Sequence, residues 1–358
     1  MRIAQIAPIS ERVPPKKYGG TERVISSLTE ALVRRGHDVT LFATADSQTS
    51  AKLVSTYPHA TRQDMPQYTV TRAIWGLRHI GIAYGVQNEF DMIHDHTGWL
   101  GVATANTSKT PVVMTLHGAF TEEALALFES FRNPYLVSIS DAQRRPAPDL
   151  NYIATVYNGL SMEHYPFSTD HDGYLLFVGR FCKEKSPHFA IEVAKALDLP
   201  LILAAKLEEG ASSQYFEEYI KPHLSDKIRW VGEVDEQARN LLYSRALCSL
   251  HPVSWPEPFG LTLIEAMACG TPVIAFNQGS IPEVIKNGET GFVVATQEEM
   301  IQAVCQIEKI DRRACRLHAL KHFSIDRMVD NYEMIYDAIL LGRDKKQYQG
   351  YHLNHSYV

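Results

Sequence analysis

The 358-residue chain lacks the features that mark membrane-spanning, nucleic-acid-binding and disulfide-stabilised proteins. No apolar run approaches the roughly 20 residues that a membrane-spanning helix needs. The 41 acidic residues outnumber the 35 basic ones, and the net charge of −6 gives no overall footprint for nucleic acid. The five cysteines show no paired CxxC spacing, which indicates free thiols in a reducing, cytoplasmic environment.

A first strand, rather than a signal peptide, is predicted at the beginning of the chain. The first ten residues, MRIAQIAPIS, hold one basic residue and a short apolar run that reaches a proline. The loop after this strand contains no G-x-G-x-x-G pattern, which is the main sequence signal of a dinucleotide-binding domain. The hypothesis of an NAD-dependent dehydrogenase is therefore disfavoured. At 358 residues the chain exceeds the size of one ordinary core, and two domains are therefore expected.

Short apolar runs alternate with helix-like segments in the first half of the chain. Residues 2–9 and 38–44 are predicted strands. The segment between them, 21–36, has the apolar spacing of a helix that Thr21 can cap and Gly36 can end. Further strands are predicted at DMIHDH (91–96), PVVMTLHG (111–118), YLVSIS (135–140) and TVYNG (155–159). This alternation is typical of βαβ units and hence of a largely parallel sheet covered by helices.

The pattern restarts after a turn-rich linker over residues 160–173. The predicted strands are 174–180, 199–206, 227–234, 248–253 and 271–276, and the predicted helices are 186–197, 236–246 and 261–270. We therefore predict an α/β fold of two Rossmann-like, doubly wound domains, residues 1–159 and 160–325, facing each other across a cleft. A last helix over 326–342 is expected to pack back on the first domain, followed by a polar tail, 343–358.

Two glutamates eight residues apart, Glu257 and Glu265, lie in the segment WPEPFGLTLIEAMACGTPVIAF. Prolines on both sides keep Glu257 out of a helix, so it belongs to the loop after strand 248–253, at the carboxyl edge of the sheet. The next helix is expected to begin near Gly260, where free N–H groups and the helix dipole suit a phosphate. Glu265 lies about one turn further, where it is either solvated or held by hydrogen-bond donors. A surface glutamate beside a helix-capping glutamate is the alternative interpretation.

This segment resembles the E-x7-E element of the retaining GT-B glycosyltransferases of family 4. The stretch over residues 271–294 looks like the same family's signature, and VGRFCKEKSP (178–187) is similar to its phosphate motif. Residues 7–43, which contain YGG, look like the family's glycine-containing donor loop and first helix. The resemblance covers nearly the whole chain and implies a GT-B fold, in which residues 1–159 form the acceptor-binding domain and residues 160–325 form the nucleotide-sugar-binding domain.

The resemblance implies a donor-binding role for several residues of the second domain. Glu257 is expected to contact sugar hydroxyls near the reacting carbon, and Glu265 is expected to bind the ribose hydroxyls. Thr262 adds a hydroxyl in the first turn of the helix. Backbone N–H groups that are expected to face the sugar and the diphosphate belong to Phe259, Gly260 and Leu261.

Arg180 ends a predicted strand and Lys185 begins the next helix. Both cations therefore lie at the carboxyl edge of the sheet. There they can neutralise a diphosphate leaving group, whereas a solvated basic turn is the alternative. The resemblance implies that the nucleobase meets backbone groups of residues 229–237, around Val231. Backbone contacts leave little trace in the identity of the side chains, so the sequence does not distinguish uridine, guanosine and adenosine as the nucleoside of the donor.

Candidate residues in the first domain follow the ends of its strands. Gly19 and Gly20 close the loop after the first strand, where paired glycines let backbone N–H groups approach a phosphate or a sugar. The resemblance implies that both glycines contact the donor and that Glu22 lies near the acceptor side. It also implies that His117 hydrogen-bonds the donor sugar.

Two motifs raise the question of a metal ion. His94 and His96 can share one face of a strand, but two imidazoles without a third ligand make a poor site, and His96 is interpreted as an acceptor-side residue. Asp170-His171-Asp172 falls in the linker and is interpreted as a solvated turn. The resemblance implies no metal, because cations and a helix dipole take over charge neutralisation.

The resulting hypothesis is a retaining, metal-independent transfer of a hexosyl group from a nucleotide-diphosphate sugar to an acceptor hydroxyl, without a cofactor. A UDP-sugar is favoured, and GDP- and ADP-sugars stay open. The acceptor is a sugar, a lipid-linked molecule or a small molecule, and peripheral contact with an anionic membrane also stays open. The competing hypotheses are a nucleotide-sugar epimerase, a phosphorylase, for which no pyridoxal lysine site is evident, and a non-catalytic nucleotide-sugar-binding protein.

Overall fold

The computed structural model describes residues 1–17, 19–65, 69–208 and 210–342. Tyr18 of the glycine loop and the predicted polar tail over 343–358 lie outside the described residues. The chain divides into two units, one formed by Met1–Ser161 with the segment that begins at Ile325, the other by Met162–Ser324. The roles predicted for the two domains, acceptor binding and nucleotide-sugar binding, stay predictions.

The first unit is built on a parallel sheet. Its strands are β1 (Arg2–Ile6), β2 (Asp38–Ala43), β3 (Lys52–Ser55), β4 (Met92–Asp95), β5 (Val112–Leu116), β6 (Tyr135–Ser138) and β7 (Tyr152–Thr155). They lie in the order β3-β2-β1-β4-β5-β6-β7. The connecting helices are α1 (Gly20–Arg34), α2 (Thr61–Asp64), α3 (Val70–Gly85), α4 (Val102–Ala105), α5 (Glu122–Ser130) and α6 (Asp141–Arg144). The register places Gln5 of β1 beside His94 of β4.

The second unit repeats this design. Its strands are β8 (Leu175–Arg180), β9 (Leu201–Lys206), β10 (Ile228–Trp230), β11 (Cys248–His251), β12 (Val273–Phe276) and β13 (Gly291–Val294). They form a parallel sheet in the order β10-β9-β8-β11-β12-β13. Its helices are α7 (Pro187–Leu197), α8 (Ala211–Tyr215), α9 (Glu236–Arg245), α10 (Leu261–Ala268), α11 (Ile281–Val284), α12 (Gln297–Val304) and α13 (Arg312–Phe323). Short 3-10 and π segments cover Gln87–Glu89, Gly98–Leu100, Phe216–Ile220, Lys221–His223 and Ile307–Lys309.

The last helix, α14 (Ile325–Leu340), belongs to the first unit although it follows the second in sequence. Arg35, just after α1, contacts Asp330 and Glu333 of α14 at 2.5 Å, and His37 lies 2.8 Å from Glu333. The opposite face of α14 is apolar and buried, and Tyr332 and Tyr336 on it are fully buried. An amphipathic helix of this kind gains its stability from such packing rather than from propensity.

In both sheets the strand order reverses at one position, and parallel strands place their carboxyl ends at the same edge. The reversal lies between β1 and β4 in the first unit and between β8 and β11 in the second. Ligands of open α/β sheets bind at the carboxyl ends next to this switch point. A binding site is therefore expected at the loops after β1, β4, β8 and β11.

Several elements differ from the predictions made from the sequence. Strand β3 and helix α3 are absent from the predictions, because β3 is a partly exposed edge strand and α3 contains three glycines, which weaken a helical pattern. Strand β13 is also absent from them. The strand predicted over 155–159 is wrong, since the strand is Tyr152–Thr155 and ends where that prediction begins. Thr21 does not cap α1, because the helix begins at Gly20 with Gly19 at the N-cap.

Arg312, at the start of α13, connects three parts of the second unit. Its buried guanidinium donates to the carbonyl oxygens of Ser168, Ser244 and Ala246 at 2.8–2.9 Å and to Thr271 Oγ1 at 3.0 Å. Substitution by methionine leaves buried carbonyl groups without a donor. Arg312→Met is therefore expected to lower the free energy of unfolding by about 3 kcal/mol, measured by urea titration.

The matched control is Arg313→Met at the next, exposed position. It is expected to change the free energy of unfolding by less than about 0.5 kcal/mol. Equal stability of the Arg312→Met variant and the wild type would contradict a structural role for this guanidinium.

Candidate active site

The loop between β11 and α10 places Glu257 in a buried position, with 7% of its surface exposed. Its Oε2 atom accepts a hydrogen bond from Lys185 Nζ and another from Trp255 Nε1, the latter at 3.0 Å. Among the described residues no donor reaches the other carboxylate oxygen, Oε1. The carboxylate therefore has one oxygen fixed by the protein and one available to a ligand hydroxyl.

Two opposing effects act on the pKa of Glu257. Burial is the largest single effect and raises the pKa, but the charge of Lys185 and the hydrogen bonds from Lys185 and Trp255 together outweigh it. The pKa is therefore below the usual value for glutamate, and the side chain is ionised at neutral pH. Next to it, burial and the charge of Lys185 lower the pKa of His251 to about 4, so this imidazole is neutral.

The loop after β12 supports the backbone of the Glu257 loop. The Ser280 N–H donates to the Glu257 carbonyl at 2.9 Å, and the Ser280 hydroxyl donates to the Phe259 carbonyl at 2.9 Å. Gly279 has a φ of +57°, and a Cβ atom there would lie 2.3 Å from Glu257 O and 2.5 Å from Glu257 N. Glycine at 279 is therefore a condition for the position of Glu257.

The start of α10 has the geometry of an anion site. Gly260 is the N-cap with a φ of +83°, and a Cβ atom there would lie 2.9 Å from Leu263 Cδ1. Leu261 and Thr262 lie in the first turn, where helix geometry leaves N–H groups without an intrahelical acceptor. The Phe259 ring is buried against Phe323, with the ring centroids 5.9 Å apart. The side chain of Phe259 is therefore not available to a ligand.

Glu265 is buried one helical turn further along, with 3% of its surface exposed. Its Oε1 atom lies 3.0 Å from Nη2 of Arg239, a residue of α9 that is 6% exposed. The interpretation of a surface pair of glutamates is wrong, because Glu257 and Glu265 are both buried and the α10 cap is a glycine. The binding of a ribose by Glu265 stays a prediction.

The two predicted cations have separate partners. Arg180, at the end of β8, lies 3.3 Å from Glu208 Oε2, and Lys206 lies 3.1 Å from Glu208 Oε1. Lys185, just before α7, contacts Glu257 and lies 5.6 Å from the centre of the Trp255 ring. The structure thus brings Lys185 into direct contact with the Glu257 carboxylate, whereas Arg180 and Lys206 share contacts with the Glu208 carboxylate.

The region predicted to meet the nucleobase follows β10. The Val231 N–H donates to the Leu203 carbonyl at 3.0 Å, and 43% of the Val231 surface is exposed. Its N–H group is therefore already used within the sheet. The contact with a nucleobase stays a prediction.

In the first unit, Gly19, Gly20 and Glu22 lie at the start of α1, after the loop that follows β1. Gly19 has a φ of +151°, and a Cβ atom there would lie 2.7 Å from Pro15 Cβ and 3.2 Å from Glu22 Oε2. Glu22 is buried, and burial, reinforced by Glu11, raises its pKa to about 7. Near neutral pH this carboxyl group therefore changes its protonation state.

His96 and His117 come directly after β4 and β5 and form a hydrogen bond of 2.9 Å between His96 Nδ1 and His117 Nε2. His94 shares a strand face with His96, with ring centroids 4.0 Å apart, as the alternation of β4 predicts. These rings are hydrogen-bonded to Gln5, Thr115 and other protein groups. Over the described ranges, no group of three or more His, Cys, Asp or Glu side chains is placed to hold a metal ion.

Several residues of this site are absent from the predictions made from the sequence. His251 ends β11, a position that the strand-end rule would have included. Trp255 lies beside the Glu257 loop, but nothing in the sequence predicts that its indole bonds the carboxylate. Arg239 and Gly279 lie on elements that approach the site only in the folded unit, so no local pattern signals them.

Comparison with known families identifies the chain. Residues 18–156 match the family model "Glycosyltransferase Family 4", and residues 166–318 match "Glycosyl transferases group 1". The chain belongs to glycosyltransferase family 4. It is an enzyme of the glycosyltransferase class, and the resemblance seen in its E-x7-E segment is confirmed.

Curated relatives of this glycosyltransferase share about a quarter of its residues. Glycogen synthase of Mycobacterium tuberculosis is 27% identical over 349 residues, which cover 82% of this chain and 83% of the relative. Phosphatidyl-myo-inositol mannosyltransferase of Mycobacterium bovis is 25% identical over 347 residues, which cover 85% of each protein.

Solved structures show that the fold is GT-B. Sucrose-phosphate synthase from Thermosynechococcus elongatus has a TM-score of 0.79 at 20% identity and covers 95% of this chain and 99% of its own. HepE from Anabaena, in complex with UDP and glucose, has a TM-score of 0.71 at 18% identity and covers 94% of this chain and 100% of its own. Within the described part of the glycosyltransferase, no helix is long and apolar enough to cross a membrane.

The lowered pKa of Glu257 links stability to pH. Because the pKa is lower in the folded protein than its unfolded value of about 4.3, the ionised carboxylate stabilises the fold above that pH and loses this contribution as the pH falls through the folded pKa. Glu257→Gln does not titrate. We therefore expect the stability difference between wild type and Glu257→Gln to shrink between pH 7 and pH 3, as measured by urea titration.

The control for this experiment is Glu289→Gln, a carboxylate with 58% of its side chain exposed. A stability difference for Glu257→Gln that stays constant over the pH range, or that grows on acidification, would contradict the proposed ionisation.

Gly279→Ala tests whether the Glu257 loop depends on the close approach of the loop after β12. The new Cβ atom would force the backbone of Glu257 to move, and a displacement of about 1 Å can cost about 100-fold in rate. We expect a loss of that order in glycosyl transfer, measured as release of nucleotide diphosphate.

The matched control is Gly288→Ala, where φ is also positive, at +80°, but no atom lies within 4 Å of the added Cβ. Gly288→Ala therefore introduces a similar backbone strain to Gly279→Ala but no collision with the backbone of Glu257. Similar losses of activity in both variants would show that strain, rather than the position of Glu257, is responsible.

Proposed function

We propose that this glycosyltransferase transfers a hexosyl group from a nucleotide-diphosphate sugar to an acceptor hydroxyl, with retention of anomeric configuration and without a metal ion. The observation that carries the proposal is the Glu257 carboxylate, whose Oε2 is held by Lys185 and Trp255 while Oε1 has no donor among the described residues. An ionised carboxylate with one free oxygen suits a sugar hydroxyl, which donates a hydrogen bond to it.

Binding of the diphosphate is assigned to the second unit. The N–H groups at the start of α10 carry the partial positive charge that suits an anion, and Arg180 and Lys206, both in contact with Glu208, supply two cations at the ends of β8 and β9. Lys185 adds an ammonium next to the carboxylate that meets the sugar. The charge that develops on the leaving diphosphate is stabilised by these groups in place of a divalent cation.

In the proposed step the bond between the anomeric carbon and the diphosphate oxygen breaks, and a bond to the acceptor oxygen forms on the same face. The departing diphosphate oxygen takes the proton of the acceptor hydroxyl, so no protein nucleophile is needed. The protein contributes positioning and charge stabilisation. Glu257, with its lowered pKa, stays ionised throughout and holds the sugar.

The donor and the acceptor are proposed at different levels of detail. A UDP-sugar is the favoured donor, in keeping with the UDP and glucose named for the HepE structure, and GDP- and ADP-sugars are the competing donors. The names of the two curated relatives, a glycogen synthase and a lipid-directed mannosyltransferase, point to a sugar or a lipid-linked acceptor. Glu22 and His96 of the first unit are proposed on the acceptor side, where His96, whose two ring nitrogens bond His117 and Gln5, acts through its neighbours and does not bond the acceptor itself.

A donor screen tests the function directly. Purified protein is incubated with UDP-, GDP- and ADP-hexoses and a panel of sugar acceptors, and nucleotide diphosphate release and the anomeric configuration of the product are measured by NMR. We expect release with one nucleotide class, a product of retained configuration, and full activity after treatment with EDTA. Inverted product, an absolute requirement for a divalent ion, or isomerised sugar without an acceptor product would each refute the proposal.

Variants of the buried ion pair test the site. Glu257→Gln and Lys185→Met are each expected to lower turnover by about 100-fold or more. The first removes the negative charge that binds the sugar hydroxyl, and the second removes the ammonium that holds the Glu257 carboxylate. The matched control is the exposed pair Lys286 and Glu289, 2.8 Å apart, substituted as Lys286→Met and Glu289→Gln. Wild-type rates in either site variant, with the control variants also active, would overturn the assignment.

A further inference from the structure

A chain of hydrogen bonds runs through the interior of the first unit from His117 to the last helix. His117 bonds His96 at 2.9 Å, and His96 Nε2 lies 2.7 Å from Gln5 Oε1. Gln5 Nε2 lies 3.4 Å from His94 Nδ1, which also lies 2.5 Å from the Tyr336 hydroxyl. Gln5, His94 and His96 are buried, and His117 is half-buried at the sheet edge.

The direction of these bonds follows from the Gln5 side chain. Its carbonyl oxygen can only accept, so the 2.7 Å contact requires that His96 Nε2 carries the hydrogen. His96 Nδ1 then has a lone pair and accepts from His117 Nε2, which must also carry a hydrogen. The Nδ1 atom of His117 is left as an acceptor, and no hydrogen-bond donor among the described residues occupies it.

The opposite orientation of the Gln5 amide would reverse every bond. It would place an amide nitrogen 2.7 Å from His96 Nε2, a short separation for an N–H···N bond, and an oxygen 3.4 Å from His94 Nδ1, a long one for N–H···O. The distances therefore favour the first orientation. Neutral imidazoles also fit it, since burial lowers the pKa of His117 to about 4 and the pKa values of His94 and His96 well below the usual value.

The far end of the chain of hydrogen bonds closes in the same direction. In this orientation the Gln5 Nε2–H group faces His94 Nδ1, so Nδ1 is the acceptor nitrogen of His94, and the Tyr336 hydroxyl 2.5 Å away is a donor to it. His94 then carries its hydrogen on Nε2 and donates it to Thr115 Oγ1 at 2.7 Å. Thr115 Oγ1 lies 2.8 Å from the Tyr332 hydroxyl. Each imidazole thus has one donor and one acceptor nitrogen with a consistent assignment.

We propose that Gln5, acting through His96, fixes His117 as the tautomer protonated on Nε2, so that His117 Nδ1 accepts a hydrogen bond from a substrate hydroxyl. Gln5 and His96 are then positioning residues. A pure acceptor bonds a sugar hydroxyl but not a carboxylate or a phosphate oxygen, and this favours a neutral hexose over an anionic sugar at this position. The substrate part rests on the proposed function, whereas the tautomer does not.

The tautomer is measured on the full-length protein labelled with 15N in its histidines. Long-range 1H–15N spectra at pH 7 distinguish the two nitrogens of each ring, and the His117 signals are assigned by their loss in His117→Gln. We expect His117 to show the pattern of the Nε2–H tautomer. The pattern of the Nδ1–H tautomer, or an equal mixture of both, would overturn the proposal.

Two variants separate the effect of Gln5 from that of the remaining hydrogen bonds. Gln5→Met removes the acceptor that faces His96 and is expected to shift His117 towards a mixture of tautomers. Tyr332→Phe removes a hydroxyl at the far end, beyond His94, and is expected to leave the His117 pattern unchanged. An unchanged pattern in Gln5→Met, with the fold shown intact by the remaining histidine signals, would refute the role of Gln5.

The substrate part is tested with donor and acceptor analogues that lack one hydroxyl at a time. Gln5→Met is expected to lower kcat/KM by about 5-fold with the complete substrates, as for one lost hydrogen bond, and to have no effect with the one analogue that lacks the hydroxyl bound by His117. An equal loss with every analogue would refute the contact. If no donor is turned over at all, the proposed function fails while the NMR result still decides the tautomer.

Discussion

The ion pair between Lys185 and Glu257 is the interaction on which the candidate site depends. Both side chains are largely withdrawn from water, and removing one partner of such a pair costs about 3–5 kcal/mol because the other charge stays buried. A pair of this kind is weak evidence for stability by itself, since apolar residues could fill the same space. Here it orients a carboxylate: one oxygen bonds the ammonium and the Trp255 indole, and the other is left for a ligand.

Everything around this pair is arranged by the parallel sheet of the second unit. Parallel strands deliver their following loops to one edge, and the reversal of strand order between β8 and β11 leaves room there. Lys185 comes from the loop after β8, Glu257 from the loop after β11 and Gly279 from the loop after β12. Three segments that are distant in sequence therefore meet because of topology, and a glycine is required where two of their backbones approach within contact distance.

The strands with continuous apolar runs and the positions of the two glutamates can be predicted from the sequence, because burial and proline geometry act locally. Strand β3, whose side chains are partly exposed, and helix α3, whose glycines dilute the helical pattern, cannot. Local sequence patterns also cannot predict which side chains form hydrogen bonds across the fold. Gln5 and His94 are 89 residues apart, and His94 and Tyr336 are 242 residues apart. Local spacing leaves Glu265 either solvated or held by donors, and only the fold identifies Arg239 as the group beside it.

The discontinuous first unit has a consequence for synthesis. Tyr332 and Tyr336 bond the buried groups Thr115 and His94, yet both tyrosines are translated after the whole second unit. While residues 162–324 are being synthesised, His94 and Thr115 of the first sheet do not yet have these two tyrosines as hydrogen-bond partners. These hydrogen bonds can therefore form only after α14 has been synthesised, and a chain truncated before α14 would lack them.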